Sequence, residues 1–597
     1  MPIAWLGNKA RPTINGFEAT PRALQQSLAG LDRLDNRERS HHILKAARDL
    51  NGLDLAPRER VRLLEILRPA ARKALDYLGG RIHAQPLPLP PPARAAYEID
   101  LELLDALTQG YETALFHETT DGRRRMVALA AERALALMGE RMLLVAQTYM
   151  PLEPAFWRRA KAMLRRAEEE NADQRLVSDQ ELRFAPRRRQ SPATMFTRMV
   201  LFSLAGTQGF RRGEARRLYN ALQAWASLVD LRPLEATEPS SQTRFAVDLD
   251  SDASPCVLAS SSCRPHVRVL EVAELIHQIE QLRIATGPEE NPIPADNELG
   301  ARALSRLVNS WHPANHQRCK RARRGSEVDA EVTLRVIHTR MTLETTPAAT
   351  QEVARAATDD LTLEPVDEPS GGRFECLDGV RPGVNWTEVP KGHDRSAGYE
   401  AAREAETPSA RVDVECDAAP RWLLEDISAT GFRLIWHGKG YCRAAVGELV
   451  ALRLSDAGEQ KRRWCVGAIR RMRFMDKQRF EIGVEVLSRH PLPARIRSEP
   501  GNPNMTRFRD SEPTAPALLL PANRRERRNT TVLVPSHMFH AEEIVEIDVQ
   551  DRMLRLQLAD VREDNGAFTH YVLAPAPERG RHAPTNTDLA TLLGAAS

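Results

Sequence analysis

The prevailing period of the apolar residues of this chain changes near Ser326, and no other feature limits the fold as much. Before that point they recur every three or four positions, the spacing of one helix face. Leu24, Leu28, Leu31 and Leu34 form one such stripe, and Val61, Leu64, Leu67 and Ala71 form another. After it, Val328, Ala330, Val332, Leu334 and Val336 alternate, the period of a half-buried strand. A sequence patterned for one period does not settle into the other. The chain therefore reads as a multidomain α+β protein, with an all-α N-terminal half followed by β-structure. At 597 residues it exceeds what one hydrophobic core supports.

Residues 1–235 are expected to form a helical bundle or a tetratricopeptide-like docking domain. Helices are expected over Tyr97–His117, Gly122–Met150, Glu153–Asn171, Ser191–Ala205 and Gly213–Asp230. Leu78 is followed by two glycines, which suit a helix C-terminus. The proline-rich run Gln85–Ala93 reads as an extended spacer. Trp157, with Ala160, Leu164 and Ala167 after it, resembles one tetratricopeptide-like hairpin, but the repeat of roughly 34 residues is missing. A plain bundle with Trp157 in its core accounts for the same residues. Residues 236–300 read as a mixed connector, with a strand at Arg244–Asp252 and a strand tip running into a helix over Val267–Ile284.

The β-half begins with an expected strand over Ser326–His338. A disordered insertion, acidic and rich in Thr, Pro and Gly, is expected over about 342–408. Further strands are expected at Arg411–Cys416, Arg421–Asp426, Gly431–Trp436, Gly447–Leu454, Trp464–Met475 and Arg479–Leu487. Their short spacings predict an antiparallel meander closing into a small barrel over residues 315–490. Ser488–Thr514 reads as a linker to a second small β-domain at 510–578.

Composition narrows the function. The formal net charge of +3 gives no global pull toward nucleic acid or anionic lipid. The most apolar stretch, Met126–Met150, carries Glu132, Arg133, Glu140 and Arg141, too many charges for a bilayer span. Met1–Ala10 lacks the basic-then-apolar pattern of a signal peptide. Seven cysteines without a CxxC pair fit reduced thiols in the cytoplasm. His312, His316 and Cys319 have ligand-like spacing, but no fourth ligand accompanies them, so no metal is expected. No nucleophile triad and no glycine-rich phosphate loop is visible. The chain does not read as an enzyme, and no cofactor is expected.

One constellation carries chemistry. Glu425-Asp-Ile-Ser-Ala-Thr-Gly431 sits between two expected strands. Asp426 and Ser428 offer short acceptors and a hydroxyl that fix a tight turn. Gly431 permits positive φ and a close approach of another group. A turn of this kind can hydrogen-bond a planar base edge, and a simple Asx-turn would carry the same residues.

The surrounding sequence adds to this. EDISATGFRLIW, then VGELVALRL, WCVGAIRRMRF and FEIGVEVLS resemble the PilZ family over the run from Arg421 to Leu487, with glycines at Gly467 and Gly483. The resemblance implies a β-barrel that binds cyclic di-GMP and ligand-contacting roles for Asp426, Ser428 and Gly431. It also implies an R-x-x-x-R stretch before the first strand, whose guanidinium groups pair with phosphate oxygens and stack on guanine. Arg318, Arg321, Arg323 and Arg324 stand just before Ser326–His338, with Lys320 and Arg324 at the required interval. If the acidic stretch is an insertion within the barrel, these arginines fall where the family places its own. Arg524–Arg528 has the literal spacing but follows the turn, and near Arg411 only Arg403 is available.

The helical half together with the split PilZ region resembles the pilus-associated cyclic di-GMP receptors of the FimW type. That resemblance implies control of type IV pilus assembly or surface motility. A protein partner, with the pilus machinery as candidate, would dock on the helical half. The alternative is a degenerate PilZ-like adaptor that binds proteins and no nucleotide. DNA or RNA binding is not expected, since the barrel shows no aromatic platform.

Overall fold

A computed structural model describes residues 13–14, 16–83, 85–117, 123–180, 182, 185–234, 244–257, 266–285, 299–312, 322–345, 421–428, 430–437, 442, 444–455, 462–476, 479–499, 514–522, 529–550 and 552–576. The chain divides into two compact units. Described residues up to 312 belong to the first unit, and those from 322 onward to the second.

The first unit is built mainly of helices: α1 (Pro21–Gly30), α2 (Asn36–Asn51), α3 (Pro57–His83), α4 (Pro91–Phe116), α5 (Arg123–Gln147), α6 (Phe156–Glu169), α7 (Pro192–Leu204) and α8 (Arg212–Trp225). Their starts carry local signals. Thr20, Asp35 and Ser191 each accept a backbone N–H three residues on. Pro91 opens α4, where its missing N–H costs nothing. The stripes read from the sequence lie inside one core that runs from Leu24 to Trp311. Trp157 is buried there, edge-on to Phe196.

Two expectations for this half are corrected. Gly79 and Gly80 do not end a helix, because α3 continues to His83. Its C-terminal end is tied down from afar: Arg212 donates to the carbonyls of His83 and Gln85 at 3.2 and 2.6 Å. The proline-rich run is not a free spacer either, since Leu87 and Leu89 within it are buried.

The unit also holds short strands: β1 (Thr13–Ile14) with β2 (Phe17–Glu18), and β3 (Val177–Ser178) with β4 (Arg189–Gln190). A four-stranded sheet joins β5 (Leu231–Pro233), β6 (Arg244–Asp248), β7 (Cys256–Val257) and β8 (Val267–Glu271) in the order β5-β8-β6-β7. This connector shares the helical core through Phe245, Val247 and Leu270. Helices α9 (Ala273–Ala285) and α10 (Ala301–Trp311) follow it. Its acidic loop is clamped by α6. Arg158 and Arg165 pair with Asp252 and Asp250, and the buried Lys161 ammonium donates to the Ser251 and Ala253 carbonyls at 2.8 and 2.6 Å.

The second unit is two closed six-stranded barrels. The first contains β9 (Ala322–Val332), β10 (Arg421–Ile427), β11 (Gly431–Trp436), β12 (Leu449–Ser455), β13 (Arg462–Phe474) and β14 (Phe480–Ser488). Its order is β10-β11-β14-β13-β12-β9, closed by pairing of β9 with both β10 and β12. The expected meander is therefore corrected, because β11 pairs with β14 rather than with β12. Since β9 belongs to the barrel, residues 333–420 are an insertion within it. Trp422, Trp436 and Phe474 surround Phe480 in its interior. The expected strand Arg411–Cys416 and most of the expected insertion at 342–408 lie outside the described residues.

The expected strand over Ser326–His338 is half right. It ends at Val332, Thr333 takes a φ of 76°, and helix α11 (Leu334–Thr345) follows. Leu334, Ile337 and Met341 share one helix face, and only Val332, Leu334 and Val336 mimic alternation there. That face is buried against Leu449, Ala451, Val466 and Ala468 of the first barrel and Leu518, Leu520, Leu533 and Phe568 of the second.

The second barrel comprises β15 (Leu492–Ser498), β16 (Ala515–Leu520), β17 (Thr531–Val534), β18 (Ile544–Val549), β19 (Arg552–Asp564) and β20 (Thr569–Pro575), ordered β15-β16-β17-β20-β19-β18. It begins earlier than the expected 510, because Leu492–Ser498, read as linker, pairs with β16 and β18. Polar contacts supplement α11 between the barrels. Arg470 grips Glu563 at 2.7 and 2.8 Å, and Asn565 donates to the Gly447 carbonyl at 2.9 Å.

Candidate functional site

The turn between β10 and β11 is built by its own residues. Ser428 N–H donates to the Gly431 carbonyl at 2.7 Å. The Ser428 hydroxyl lies 3.0 Å from that carbonyl, to which it donates, and accepts the Gly431 N–H at 3.2 Å. The Thr430 carbonyl accepts Val486 N–H of β14 at 2.9 Å, which pins the turn to the sheet. Ser428 is therefore a structural hydroxyl in the first instance.

Gly431 is required for space rather than for conformation. Its φ is not positive, contrary to one of the two reasons inferred from sequence, but a Cβ there would run into the Val484 carbonyl oxygen. The other two glycines of the resemblance share this logic. A Cβ on Gly467 would meet the Glu485 carbonyl and the Val484 side chain, and one on Gly483 would meet the Arg471 side chain.

Asp426 is only 4% exposed. A carboxylate so buried needs a compensating cation, and Arg433 of β11 provides it, with Nε 2.8 Å from Oδ2. Arg433 also lies 3.5 Å from Glu425 and 3.4 Å from Glu481, and Glu481 is shared with Arg471 at 3.4 Å.

The pairing of β9 with β10 bears on the arginines. Leu424 stands opposite Ser326, but Asp426 stands opposite Arg323 and Ile427 opposite Ala322. Between those pairs one residue of β10, Glu425, faces two of β9, Arg324 and Gly325, a bulge with Gly325 at φ 62°. The backbone of Arg323 and Arg324 thus lies beside the last residues before the turn. Arg318, Arg321, Lys320, Arg403 and Arg524–Arg528, with His316 and Cys319, lie outside the described residues. Among the described residues no group of three or more metal-ligating side chains occurs.

Three family models match along the chain: the N-terminal domain of the cyclic-di-GMP receptor FimW at residues 22–236, its middle PilZ domain at 244–493 and its C-terminal β-barrel domain at 505–574. This chain belongs to the FimW family. A relative described as "Cyclic-di-GMP receptor FimW" from Pseudomonas aeruginosa is 19% identical over 566 residues, covering 93% of this chain and 90% of the relative. No solved structure matches. The FimW middle model begins at residue 244, so it takes in β6, β7 and β8 of the connector as well as the split barrel, while β5 falls within the N-terminal model.

Sequence reasoning missed Arg433, Glu481 and Arg471. Arg433 was visible as a lone charge in the apolar run of β11, two residues after Gly431. Its partner Glu481 is 48 positions away and meets it only through the pairing of β11 with β14.

Proposed function

We propose that this chain is a cyclic di-GMP receptor whose ligand binds at the Ser428 turn, with phosphates taken by the arginine run that leads into β9. The observation that carries the reading is the register: Arg323 is the cross-strand partner of Asp426. A basic cluster shares an anion with a turn only if both reach the same few ångströms, and this register supports the choice of Arg318–Arg324 over Arg524–Arg528. Asp426 accepts from the guanine edge, while Arg321, Arg323 and Arg324 pair with phosphate oxygens. The Lys320-to-Arg324 interval keeps a cation at both ends of the stretch. The output we infer is control of pilus assembly or surface motility through a protein docked on the helical unit. Among the described residues no helix is long and apolar enough to cross a membrane.

Isothermal titration of the full chain tests this. Binding at or below about tens of micromolar is expected, weakened by Arg321→Ala, Arg323→Ala, Arg324→Ala and Ser428→Ala. No binding would leave the protein-only adaptor in its place. Binding with unchanged affinity in the arginine variants would move the phosphate site to Arg524–Arg528.

A further inference from the structure

The hairpin of β3 and β4 carries three consecutive arginines that the helical unit does not use. Val177 stands opposite Gln190 and Ser178 opposite Arg189, and the Asp179 N–H donates to the Arg188 carbonyl at 3.0 Å. The base of the hairpin is fixed. Asp179 is buried between Arg68 of α3 and Arg133 of α5, and Arg133 also donates to the Ser178 carbonyl at 3.1 Å. Val177, Ala185 and Gln190 are buried beside it. Arg187, Arg188 and Arg189 are nevertheless all exposed. Among the described residues none of their guanidinium groups pairs with an acid.

The backbone adds a second observation. Arg187 and Arg188 take φ of 54° and 52°. A long side chain is costly in this left-handed region, which glycine and asparagine enter easily. Such strain persists only where the surroundings over-determine it, and the buried base of the hairpin does so here. Two strained residues and three adjacent like charges both oppose folding, and no contact with the core repays them. The side chains are therefore held ready for something outside the unit, and their charge requires it to be anionic.

The fixed backbone narrows the choice. A lipid surface or a nucleic-acid backbone attracts charge through a diffuse field that needs no fixed geometry. The planar fork of arginine on a rigid support suits pairing with individual carboxylates. Leu176, 51% exposed next to the buried Val177, adds one apolar contact, enough for a protein interface and too little to anchor in a bilayer. We propose that the Arg187–Arg189 corner is a docking surface for an acidic segment of a partner protein. This deepens the docking part of the reading above by giving the partner's chemistry and its place on the helical unit.

Fluorescence anisotropy of the full chain with a labelled peptide of repeating glutamate-glutamate-leucine tests it, beside phosphatidylglycerol vesicles and a single-stranded oligonucleotide. Wild type is expected to bind the peptide, more weakly as salt rises. Arg187→Asn combined with Arg188→Asn is expected to lose about tenfold or more in affinity while melting at or above the wild-type temperature, because asparagine relieves the strain. A merely structural turn would gain the stability and keep the affinity, and that result would overturn the proposal. Should the double variant fail to fold, Arg189→Gln decides instead: its position has no positive φ, a loss of about threefold or more is expected, and unchanged affinity overturns. Lysine at all three positions keeps the charge without the fork, so weaker peptide binding is expected and undiminished binding overturns. No peptide binding by wild type at about a millimolar, or vesicles or oligonucleotide bound in preference to it through the same arginines, would also overturn it. Cyclic di-GMP titration of the same variants keeps the two readings apart. A chain that binds no nucleotide sinks the receptor reading alone, and an unchanged peptide affinity in the variants sinks this one alone.

Discussion

Gly325 and Gly431 should respond in opposite ways to the same two substitutions. Gly325 sits at φ 62°, with nothing within 4 Å of where a Cβ would lie. Its only demand is conformational. An L-residue held in the left-handed region costs roughly 1–2 kcal/mol, and asparagine tolerates it better than alanine. Gly431 has an ordinary φ, but its Cβ would press on the Val484 carbonyl oxygen. That oxygen belongs to the backbone of β14 and cannot rotate aside, so β11 and β14 must part and their ladder must weaken. Overpacking of this kind costs roughly 1–3 kcal/mol and grows with side-chain size. Hence Gly325→Asn should be more stable than Gly325→Ala, whereas Gly431→Asn should be less stable than Gly431→Ala. Urea unfolding measures the difference: about 2 kcal/mol with a slope of about 2 kcal/mol/M shifts the midpoint by roughly 1 M. Hydrogen exchange should localise the loss in the Gly431 variants to β11 and β14. Equal stability of Gly431→Asn and Gly431→Ala, or a Gly325→Asn below Gly325→Ala, would refute the assignment of one glycine to space and the other to φ.

Three further outcomes are expected. Burial, reinforced by the charge of Glu140, pushes the Asp100 carboxyl up to about 8, so between its unfolded value of 3.8 and that point the folded state keeps a proton that the unfolded state has lost. Stability therefore falls as pH rises through this window, by at most about 1.4 kcal/mol per pH unit. Burial also raises Glu132 to about 7, which adds the same sign below neutrality, while burial lowers His83 to about 4, which gives the opposite sign below its unfolded 6.5. Between pH 7 and 8 the fall belongs mainly to Asp100, and Asp100→Asn should flatten it in thermal melts followed by helical circular dichroism. Arg470→Met should destabilise the second unit by roughly 1.5–3 kcal/mol, because it leaves Glu563 without its bidentate partner, and hydrogen exchange should rise on both barrels near Gly447 and Asn565. Lys161→Met removes the ammonium that holds the Ser251 and Ala253 carbonyls, and should cost roughly 1–3 kcal/mol with faster proteolysis of the loop after β6.

Much of the barrel was legible because its strands repeat at period two and its glycines punctuate them. β10, β11, β13 and β14 lie within a residue or two of where alternation put them. α11 was misread because Val332, Leu334 and Val336 satisfy a strand pattern locally, while the helix face of Leu334, Ile337 and Met341 is recognised only once two barrels bury it. Leu492–Ser498 was lost in a linker because its apolar positions are few, and it is recognised as a strand only by pairing with β16 and β18, which come later in the sequence.

The division at the site follows the same physics. Asp426, Ser428 and Gly431 form a local turn, so a short stretch of sequence determined that they meet. Sequence spacing also indicated that a basic run precedes the first strand. Which acid Arg433 would answer, that Gly431 serves Val484 rather than its own φ, and that Arg323 comes to stand opposite Asp426 were decided only by tertiary structure. The first turns on the irregular register of the β10–β11 hairpin at Asp426, and the other two on strand pairing between segments tens of residues apart, set by closure of the barrel, which no local pattern encodes.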